Sequence, residues 1–350
     1  MRKALIAMSG GVDSSVAALL IKKEYEECAG ANMRLFDSEK CGSVKDLEDA
    51  KSVCDRLGMP FHVFEFHEEF KKCVIERFIS CYEKGITPNP CIDCNRFLKF
   101  NRFYQAAREM GFDLVVTGHY VRVVYDENLC RYLLKKAVDD TKDQSYVLYS
   151  LTQDQLSHVA FPLGEMTKDE ARKIAAEHGF INASKKDSQD ICFVPDGDYG
   201  AFIRRYTGKD YEPGDFVDEE GKVVGQHKGI IHYTVGQRKG LGVSADMPYY
   251  VARLDLEKNQ VVLTKDNNKS SLELVADGLN WIAIDELKES IRVKAKIRYK
   301  TKEQWATVSP LENGRARVVF DEPQRAITCG QAVVFYDEDT VVGGGTIVEV

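Results

Sequence analysis

Two cysteines, Cys91 and Cys94, are separated by two residues in the stretch TPNPCIDCNRFLKF. Asn89 and Pro90 precede them, and these residue types favour the N-cap and the first position of a helix. The pattern predicts a helix that carries both thiols on one face of its first turn. The positive end of that helix would lower the pKa of each thiol, although the charge of Asp93 opposes this effect. This pattern is compatible with a metal site, a redox pair, a sulfur-handling nucleophile or a pair of core cysteines. A helix start behind Asn-Pro disfavours the pair of core cysteines.

A glycine turn, MSGGVDSS, offers a second kind of chemistry after the first predicted strand. Gly10 and Gly11 let a ligand approach the backbone closely, and the helix that follows points free N–H groups at an anion. Ser14 and Ser15 add hydroxyl donors, and Asp13 could hold a cation or orient the loop. The turn lacks the Gly-Lys-Ser/Thr ending of a Walker A loop and the glycine spacing of a dinucleotide fingerprint. It therefore predicts a phosphate site of another type.

Strand and helix patterns alternate along the first half of the chain, which predicts a parallel sheet with helices on both faces. Ligands bind such sheets beyond the carboxyl ends of the strands, where MSGGVDSS and the later TGHY segment are both expected. After about Gly208 short strands separated by turns replace this pattern, and GDFVDEEGKVVGQHKG is a hairpin candidate. We predict an α/β domain over residues 1–207, a small mostly-β central domain over 208–274 and a C-terminal β-barrel over 275–350.

Charge and composition exclude several classes of protein. The 350 residues carry a formal net charge of −7, which argues against indiscriminate coating of nucleic acid. No stretch resembles a signal peptide or a membrane span, so we expect a cytoplasmic protein without a membrane partner. Its ten cysteines are then expected to be reduced. Four of them fall on apolar faces of predicted elements and are expected in the core: Cys28, Cys54, Cys73 and Cys81.

A local basic surface is nevertheless predicted at IRVKAKIRYKTK, residues 291–302. Cationic and mainly apolar residues alternate there, which is typical of a strand with one charged face. Such a row of like charges favours contact with phosphates over a merely solvated face. The cationic positions are Arg292, Lys294, Lys296, Arg298, Lys300 and Lys302. The predicted helix after the cysteines is also basic, with Arg96, Lys99, Arg102 and Arg108.

The turn SGGVDS after a first parallel strand resembles the pyrophosphatase loop, or PP-loop, of ATP-pyrophosphatases that adenylate their substrates. Further motifs resemble, in order along the chain, those of the tRNA-specific 2-thiouridylases: TPNPCIDCN, TGHY, KDQSYVL, SQDICFVPDGDY, HYTVGQRKGLG and FDEPQRAITCGQAVVFY. The resemblance covers nearly the whole chain. It implies a PP-loop catalytic domain and ATP-dependent 2-thiolation of the wobble uridine, position 34, in tRNAs of the Lys, Glu and Gln type. ATP with Mg²⁺ and a persulfide or sulfide donor, such as a cysteine desulfurase or a sulfur relay protein, are implied as well.

The resemblance also implies roles for individual residues. The implied ATP contacts are Ala7, Met8, Ser9, Gly10, Gly11, Val12, Asp13, Ser14, Met33 and Gly118. The implied tRNA contacts are Asn89, Pro90, Lys142, Asp143, Gln144, Arg298 and Tyr299. Cys94 is implied as a catalytic cysteine, and Cys192 as the cysteine that carries a persulfide. The chemistry agrees, because replacing a uracil oxygen by sulfur needs a better leaving group, which adenylation supplies, and a thiol that delivers sulfur.

Cys91 departs from the family pattern, because many relatives carry aspartate at this position. No acid–base carboxylate can be assigned there, and two routes stay open. In the first, Cys192 transfers persulfide sulfur and product release forms a Cys94–Cys192 disulfide. In the second, Cys91, Cys94 and Cys192 ligate a [4Fe-4S] cluster whose fourth iron binds sulfide. Three cysteines favour the cluster, whereas zinc is disfavoured because no fourth Cys or His is suitably placed.

Two other functions account for parts of the sequence. Another adenylating PP-loop ATP-pyrophosphatase, acting on a different tRNA base or on a small metabolite, would share the loop. Such an enzyme would not need the basic strand or the three cysteines. An RNA-binding module with a structural metal would leave the loop without a purpose.

Overall fold

The computed structural model describes residues 3–36, 43–185, 191–244, 246–266 and 270–350. Strands and helices alternate in its first part, as predicted. The elements there are β1 (Ala4–Ala7), α1 (Val12–Glu24), β2 (Cys28–Arg34), α2 (Val44–Arg56), β3 (Phe61–Glu65), α3 (His67–Phe70), α4 (Glu76–Glu83), α5 (Pro90–Asp93), α6 (Phe103–Glu109), β4 (Leu114–Val116), β5 (Val121–Asp126), β6 (Arg131–Lys136), α7 (Gln153–Ser157), β7 (Val159–Ala160), α8 (Lys168–Glu177) and α9 (Tyr199–Thr207). Two π-helical segments, Lys71–Ile75 and Cys94–Arg102, join α3 to α4 and α5 to α6.

The first sheet is five-stranded and parallel, in the order β3-β2-β1-β4-β7. Its core lies on both faces, because Leu5 and Val115 pack into one buried cluster and Ile6 and Val116 into the other. The chain order reverses between β1 and β4, so the segments after these two strands flank one crevice. The predicted parallel sheet and the position of its crevice are confirmed.

The central part is a four-stranded sheet in the order β10-β11-β8-β9. Its strands are β8 (Gly214–Val217), β9 (Val223–His227), β10 (Tyr250–Asp255) and β11 (Gln260–Thr264). β8 and β9 form the predicted antiparallel hairpin. Phe216 and Val261 are fully buried at the centre of its small core.

The C-terminal part is a closed β-barrel. Its strands are β12 (Ser270–Trp281), β13 (Ile291–Lys296), β14 (Gln304–Pro310), β15 (Ala316–Arg325), β16 (Ala332–Asp337) and β17 (Thr340–Glu349). They pair in the order β12-β15-β14-β13-β16-β17, and β12 pairs with β17 to close the ring. The hairpin β5–β6 from the first part of the chain extends this sheet beside β17. The predicted fold class is confirmed.

The predicted domain boundaries stay predictions. The first falls at the end of α9, whereas the second, between 274 and 275, falls inside β12. Three short 3₁₀ turns, Ser145–Val147, Ile230–His232 and Glu312–Gly314, complete the described elements. Among the described residues, no helix has the length and apolar composition needed to cross a membrane.

The predicted basic strand at residues 291–302 is wrong in its second half. β13 ends at Lys296, and the chain then turns, with the Thr301 N–H donating to the Arg298 carbonyl oxygen at 3.2 Å. The cations do not form a bare row either. Arg292 is paired with the Asp321 carboxylate, and Nη2 of Arg298 donates to protein oxygens. These partners lie on other elements, so the alternating pattern could not reveal them.

Candidate active site

The turn between β1 and α1 is tight and leaves its helix end open. Gly10 has a φ of +74°, and a Cβ at this position would lie 2.3 Å from the Asp46 carbonyl oxygen. Gly11 is the N-cap of α1, and no side chain of the described residues caps the helix. The amides of its first turn are therefore available to an anion, as predicted from the sequence.

Side chains from a distant segment hold the carbonyl side of this turn. Nδ2 of Asn182 and Nζ of Lys185 both donate to the Gly10 carbonyl oxygen, at 3.1 and 3.0 Å. Lys185 also pairs with Asp46 at 2.6 Å and Asp49 at 2.9 Å on α2. The hydroxyl of Ser14 donates to the Gly11 carbonyl oxygen at 3.0 Å. With its carbonyl groups occupied in this way, the turn is held in shape before any ligand binds.

Asp13 has protein partners in this turn. It accepts hydrogen bonds from Nζ of Lys168, at 2.7 and 2.8 Å, and from the Tyr120 hydroxyl at 2.9 Å. A Cβ at Gly118 would lie 2.7 Å from the Asp13 carbonyl carbon, so the TGHY segment packs directly on the turn. Of the two roles expected for Asp13, these contacts favour orientation of the loop over cation binding.

The remaining expected ATP contacts line the floor beside the turn. Ala7 and Met8 are buried at the end of β1, and Met33 is half-buried on the neighbouring strand β2. Asn32 donates from Nδ2 to the Met8 carbonyl oxygen at 2.7 Å. Its own Oδ1 is buried and has no hydrogen-bond partner among the described residues. A buried unpaired acceptor beside an open helix end fits a site that is completed by a ligand.

The cysteine helix begins as predicted. Asn89 is the N-cap of α5 and accepts a hydrogen bond from the Cys91 N–H at 3.2 Å, and Pro90 occupies the first turn. Cys91 is exposed, whereas Cys94 is half-buried at the junction with the π-helical segment. The two thiols therefore start the same helix but differ in their access to solvent.

The expectation that the helix end lowers both thiol pKa values is wrong. The pKa of Cys94 is raised to about 12, and burial is the largest cause. The charge of Lys99 lowers it, whereas the charges of Cys192, Cys91 and Asp93 add to the rise. Burial also raises the pKa of Cys91, and the charge of Cys192 adds to this rise. Although Cys91 is exposed as a residue, protein atoms surround its thiol. The loss of hydration disfavours the charged thiolate and is the largest effect at both thiols.

Cys192 belongs to the same group of thiols. It is half-buried and packs against the core that contains Phe193, and its charge acts on both Cys91 and Cys94. The preceding motif residues 188–190 lie outside the described part of the chain. No three Cys, His, Asp or Glu side chains among the described residues are placed to hold a metal. The three cysteines thus do not fit the expected cluster ligands in this arrangement.

Lys99 connects the cysteine helix to the TGHY segment. Its Nζ lies 3.4 Å from Nε2 of the buried His119, whose Nδ1 lies 2.7 Å from the Thr117 hydroxyl. Burial and the charge of Lys99 lower the pKa of His119, which keeps the imidazole neutral at neutral pH. The turn between β1 and α1, the TGHY segment and the cysteine helix are consequently connected by direct contacts.

The expected tRNA contacts fall into three groups. Asn89 and Pro90 start the cysteine helix, as described above. Lys142, Asp143 and Gln144 lie in the turn before the 3₁₀ segment, where the Tyr299 hydroxyl donates to the Asp143 carbonyl oxygen at 3.1 Å. Arg298 is half-buried and donates to the carbonyl oxygens of Val235 and Ala326 and to the Thr328 hydroxyl. The structure therefore brings Tyr299 to the 142–144 turn and places Arg298 between the central part and the barrel.

The barrel also contacts the segment that carries the cysteines. The Thr87 N–H donates to the Cys329 carbonyl oxygen at 3.0 Å. Nε2 of Gln331 donates to the carbonyl oxygens of Thr87 and Pro88, at 2.9 and 3.2 Å. The loop between β15 and β16 thus positions the residues just before α5.

Comparison with known proteins identifies the family. Residues 2–196 match the model described as a tRNA methyl transferase HUP domain, residues 200–265 a tRNA methyl transferase PRC-barrel domain and residues 271–347 an aminomethyltransferase beta-barrel domain. The tRNA-specific 2-thiouridylase MnmA of Acetivibrio thermocellus is 53% identical over 99% of both chains. This chain belongs to the tRNA-specific 2-thiouridylase family.

Other similar proteins were found as well. The tRNA-specific 2-thiouridylase MnmA of Clostridioides difficile is 48% identical over 99% of this chain and 98% of its own. A 4-thiouridine synthetase–RNA complex with bound ATP is 19% identical over 55% of this chain and 44% of its own, with a TM-score of 0.35. The family assignment rests on the full-length sequence matches.

Several side chains that touch the site were not predicted from the sequence. Lys168 and Lys185 are salt-bridged to Asp13 and Asp46, from which they are separated by 155 and 139 residues. Lys99 was predicted only as one of the cations of a basic helix, and not as a residue next to the thiols and His119. Long-range ion pairs of this kind leave no local pattern.

Proposed function

We propose that this enzyme replaces the C2 oxygen of the wobble uridine, position 34, in tRNAs of the Lys, Glu and Gln type with sulfur, at the expense of ATP. The observation that carries the proposal is the chain of contacts from the open α1 end to the TGHY segment and, through Lys99, to Cys94, on which the Cys192 charge acts. ATP, tRNA and reduced thiols are all supplied in a reducing cytoplasm, where we place the reaction.

Adenylation is the first step. The C2 oxygen of the base attacks the α-phosphorus of ATP, and pyrophosphate leaves. We assign the pyrophosphate to the first-turn amides of α1, with Ser9 and Ser14 beside them, because an open helix end stabilises an anion. Mg²⁺ carried by the nucleotide would offset the charge of the phosphates. Asp13, held by Lys168, keeps the turn in place.

Sulfur transfer follows at the cysteines. The terminal sulfur of a Cys192 persulfide attacks C2 and AMP leaves, so that the base is joined to Cys192 through a disulfide. Cys94 then loses its proton, which the charge of Lys99 favours because it lowers the pKa of this thiol, and the resulting thiolate attacks the Cys192 Sγ. The bond between the Cys192 Sγ and the sulfur on the base breaks, the 2-thiouridine leaves and takes up a proton on its ring, and a Cys94–Cys192 disulfide remains. An external dithiol reduces this disulfide, and a persulfide donor, such as a cysteine desulfurase or a sulfur relay protein, reloads Cys192.

The persulfide route fits the described geometry better than the cluster route. Cys91, Cys94 and Cys192 are within electrostatic range of one another but are not placed as a metal-ligating group. We therefore derive no step through a [4Fe-4S] cluster. Iron and sulfide analysis of anaerobically purified enzyme checks this choice: an iron-free protein that still thiolates tRNA supports the persulfide route, and activity that follows the iron content contradicts it.

The test of the proposed function uses purified enzyme, ATP, a persulfide donor and an unmodified tRNA transcript. Nucleoside mass spectrometry should detect 2-thiouridine only when all components are present. Cys94→Ser and Cys192→Ser should abolish the product but retain tRNA-dependent exchange of pyrophosphate into ATP, whereas Cys130→Ser, an exposed cysteine on a distant turn, should retain both. An active Cys94→Ser enzyme would contradict the proposed sulfur step.

A further inference from the structure

Trp305 is an exposed tryptophan on the outer face of the barrel. Its side chain is 48% exposed, and it stands at the start of β14, beside the buried Ala306. In the strand register it faces Lys294 of β13. The Lys294 Nζ lies 5.5 Å from the centre of the indole ring, and the Arg292 guanidinium carbon lies 5.2 Å from it. Two cations therefore hold an aromatic ring in place while much of it stays open to solvent.

The cations of β13 continue from Trp305 towards the active site. Lys296 lies two residues after Lys294, on the same face of the strand, about 7 Å further along. Its Nζ is 5.8 Å from the ring centre of Tyr299, which is itself 37% exposed. Tyr299 lies within electrostatic range of the Cys91 thiol, since its pKa is raised by burial and then by the charges of Asp143 and Cys91. We call this set of five residues the aromatic–cation strip: Arg292, Lys294, Lys296, Tyr299 and Trp305.

Carboxylates near the strip reduce its charge without removing it. Asp321 is paired with Arg292 at the far end. The charges of Asp143 and of Glu303, which pairs with Lys136, act on Lys296. The Lys294 ammonium remains against the Trp305 ring. Proteins that bind unpaired nucleotides commonly use exposed aromatic rings interleaved with cations. A base stacks on a ring while the cations contact the neighbouring phosphates. A base-paired helix offers no such free face, so the strip suits a single-stranded segment.

We propose that Trp305 is a stacking platform for an unpaired base of the bound tRNA, located along the strip from the nucleotide that reaches the cysteines. This inference rests on the proposed function, because it takes tRNA as the substrate. The strip would fix the register of the unpaired segment, and the phosphates next to the stacked base would lie over Lys294 and Lys296.

The experiment uses the fact that the chain contains two tryptophans, Trp281 and Trp305. In Trp281→Phe the only indole emission comes from Trp305, and an unmodified tRNA(Lys) transcript should quench it. The same transcript should not quench Trp305→Phe, in which Trp281 stays stacked on Phe335. A hairpin-free RNA duplex of similar length should quench neither variant. An unquenched Trp281→Phe enzyme that binds the transcript normally would overturn the proposal.

Affinity measurements provide the second arm. Trp305→Ala should weaken tRNA binding about five- to a hundredfold, whereas Trp305→Phe, which retains a ring face, should lose much less. Lys294→Gln should weaken binding moderately and reduce the salt dependence by about one counterion while the quenching persists. Melting curves confirm that the variants are folded. If the unmodified enzyme thiolates tRNA and Trp305→Ala binds it equally well, the stacking proposal alone fails; if the unmodified enzyme neither binds nor thiolates tRNA, the proposed function fails.

Discussion

The helices α1 and α5 both begin at the crevice, but their first turns are built for different tasks. α1 starts at Gly11 without a side-chain cap among the described residues, so its amides stay open. α5 starts at Asn89, whose side chain already accepts the Cys91 N–H. A helix end that is left open is free to accept an external anion. Where it is capped and crowded, burial determines the chemistry, and the thiols of Cys91 and Cys94 are held in their protonated form.

The largest expected effect tests the tightness of the α1 turn. Gly10→Ala would place a Cβ 2.3 Å from the Asp46 carbonyl oxygen in a left-handed conformation. We expect a loss of about 3 kcal/mol in the free energy of unfolding and at least a tenfold rise in the KM for ATP. Urea denaturation and ATP–pyrophosphate exchange measure these effects. Gly11→Ala is the matched control, because the nearest atom would be the Ser9 hydroxyl at 3.4 Å and the backbone is extended. Equal effects of the two changes would mean that the turn is not fixed as described.

The next effect tests the lysine that holds that turn to α2. Lys185→Met removes the bonds to Gly10, Asp46 and Asp49, and should cost about 2 kcal/mol of stability. Lys51→Met, on the exposed face of α2, should cost little.

Although burial lowers it, the pKa of Lys185 is raised overall by its hydrogen bonds to Asp46 and Asp49. The stabilisation is therefore complete below pH 10.5 and disappears as the pH rises through the raised value, which unfolding curves at pH 9 and above would show.

A smaller effect concerns the reactivity of Cys94 at the start of α5. Because burial raises the pKa of Cys94 to about 12, its alkylation by iodoacetamide should still accelerate between pH 9 and 11. Lys99→Gln should slow this alkylation several-fold, because the Lys99 charge lowers the pKa of Cys94. Peptide mass spectrometry gives the rate at each cysteine, with Cys130 as an exposed reference. A plateau below pH 9 would show that the helix end outweighs burial after all.

The smallest effect concerns the cap of α5. Asn89→Ala should destabilise the enzyme by about 1 kcal/mol, because the Cys91 N–H loses its acceptor, whereas Asn89→Asp should retain the cap. Urea denaturation measures the difference. If Asn89→Asp is fully stable but thiolates tRNA poorly, the side chain contacts the substrate as well as capping the helix.

The same comparison explains how far the sequence alone could lead. Gly10 and the Asn89-Pro90 start depend on local backbone rules, and both were predicted. The thiol pKa values depend on burial by residues distant in sequence, and the helix-end rule gave the wrong direction. The basic row failed for a related reason, because Asp321 pairs with Arg292 from a strand further along the chain. Short motifs therefore predict local backbone conformation. They do not predict ion pairs or pKa values, because these depend on residues that are distant in sequence.

The β5–β6 hairpin has a consequence for how the chain is made. It ends at Lys136, but the strand it joins, β17, begins only at Thr340. During synthesis roughly 200 residues separate the two, which at about 5–20 residues per second corresponds to about 10–40 s. For that time an unpaired strand edge is exposed to other nascent chains, which makes it a site for mispairing. Synthesis of β17 thus completes both the barrel and the edge of the first part of the molecule.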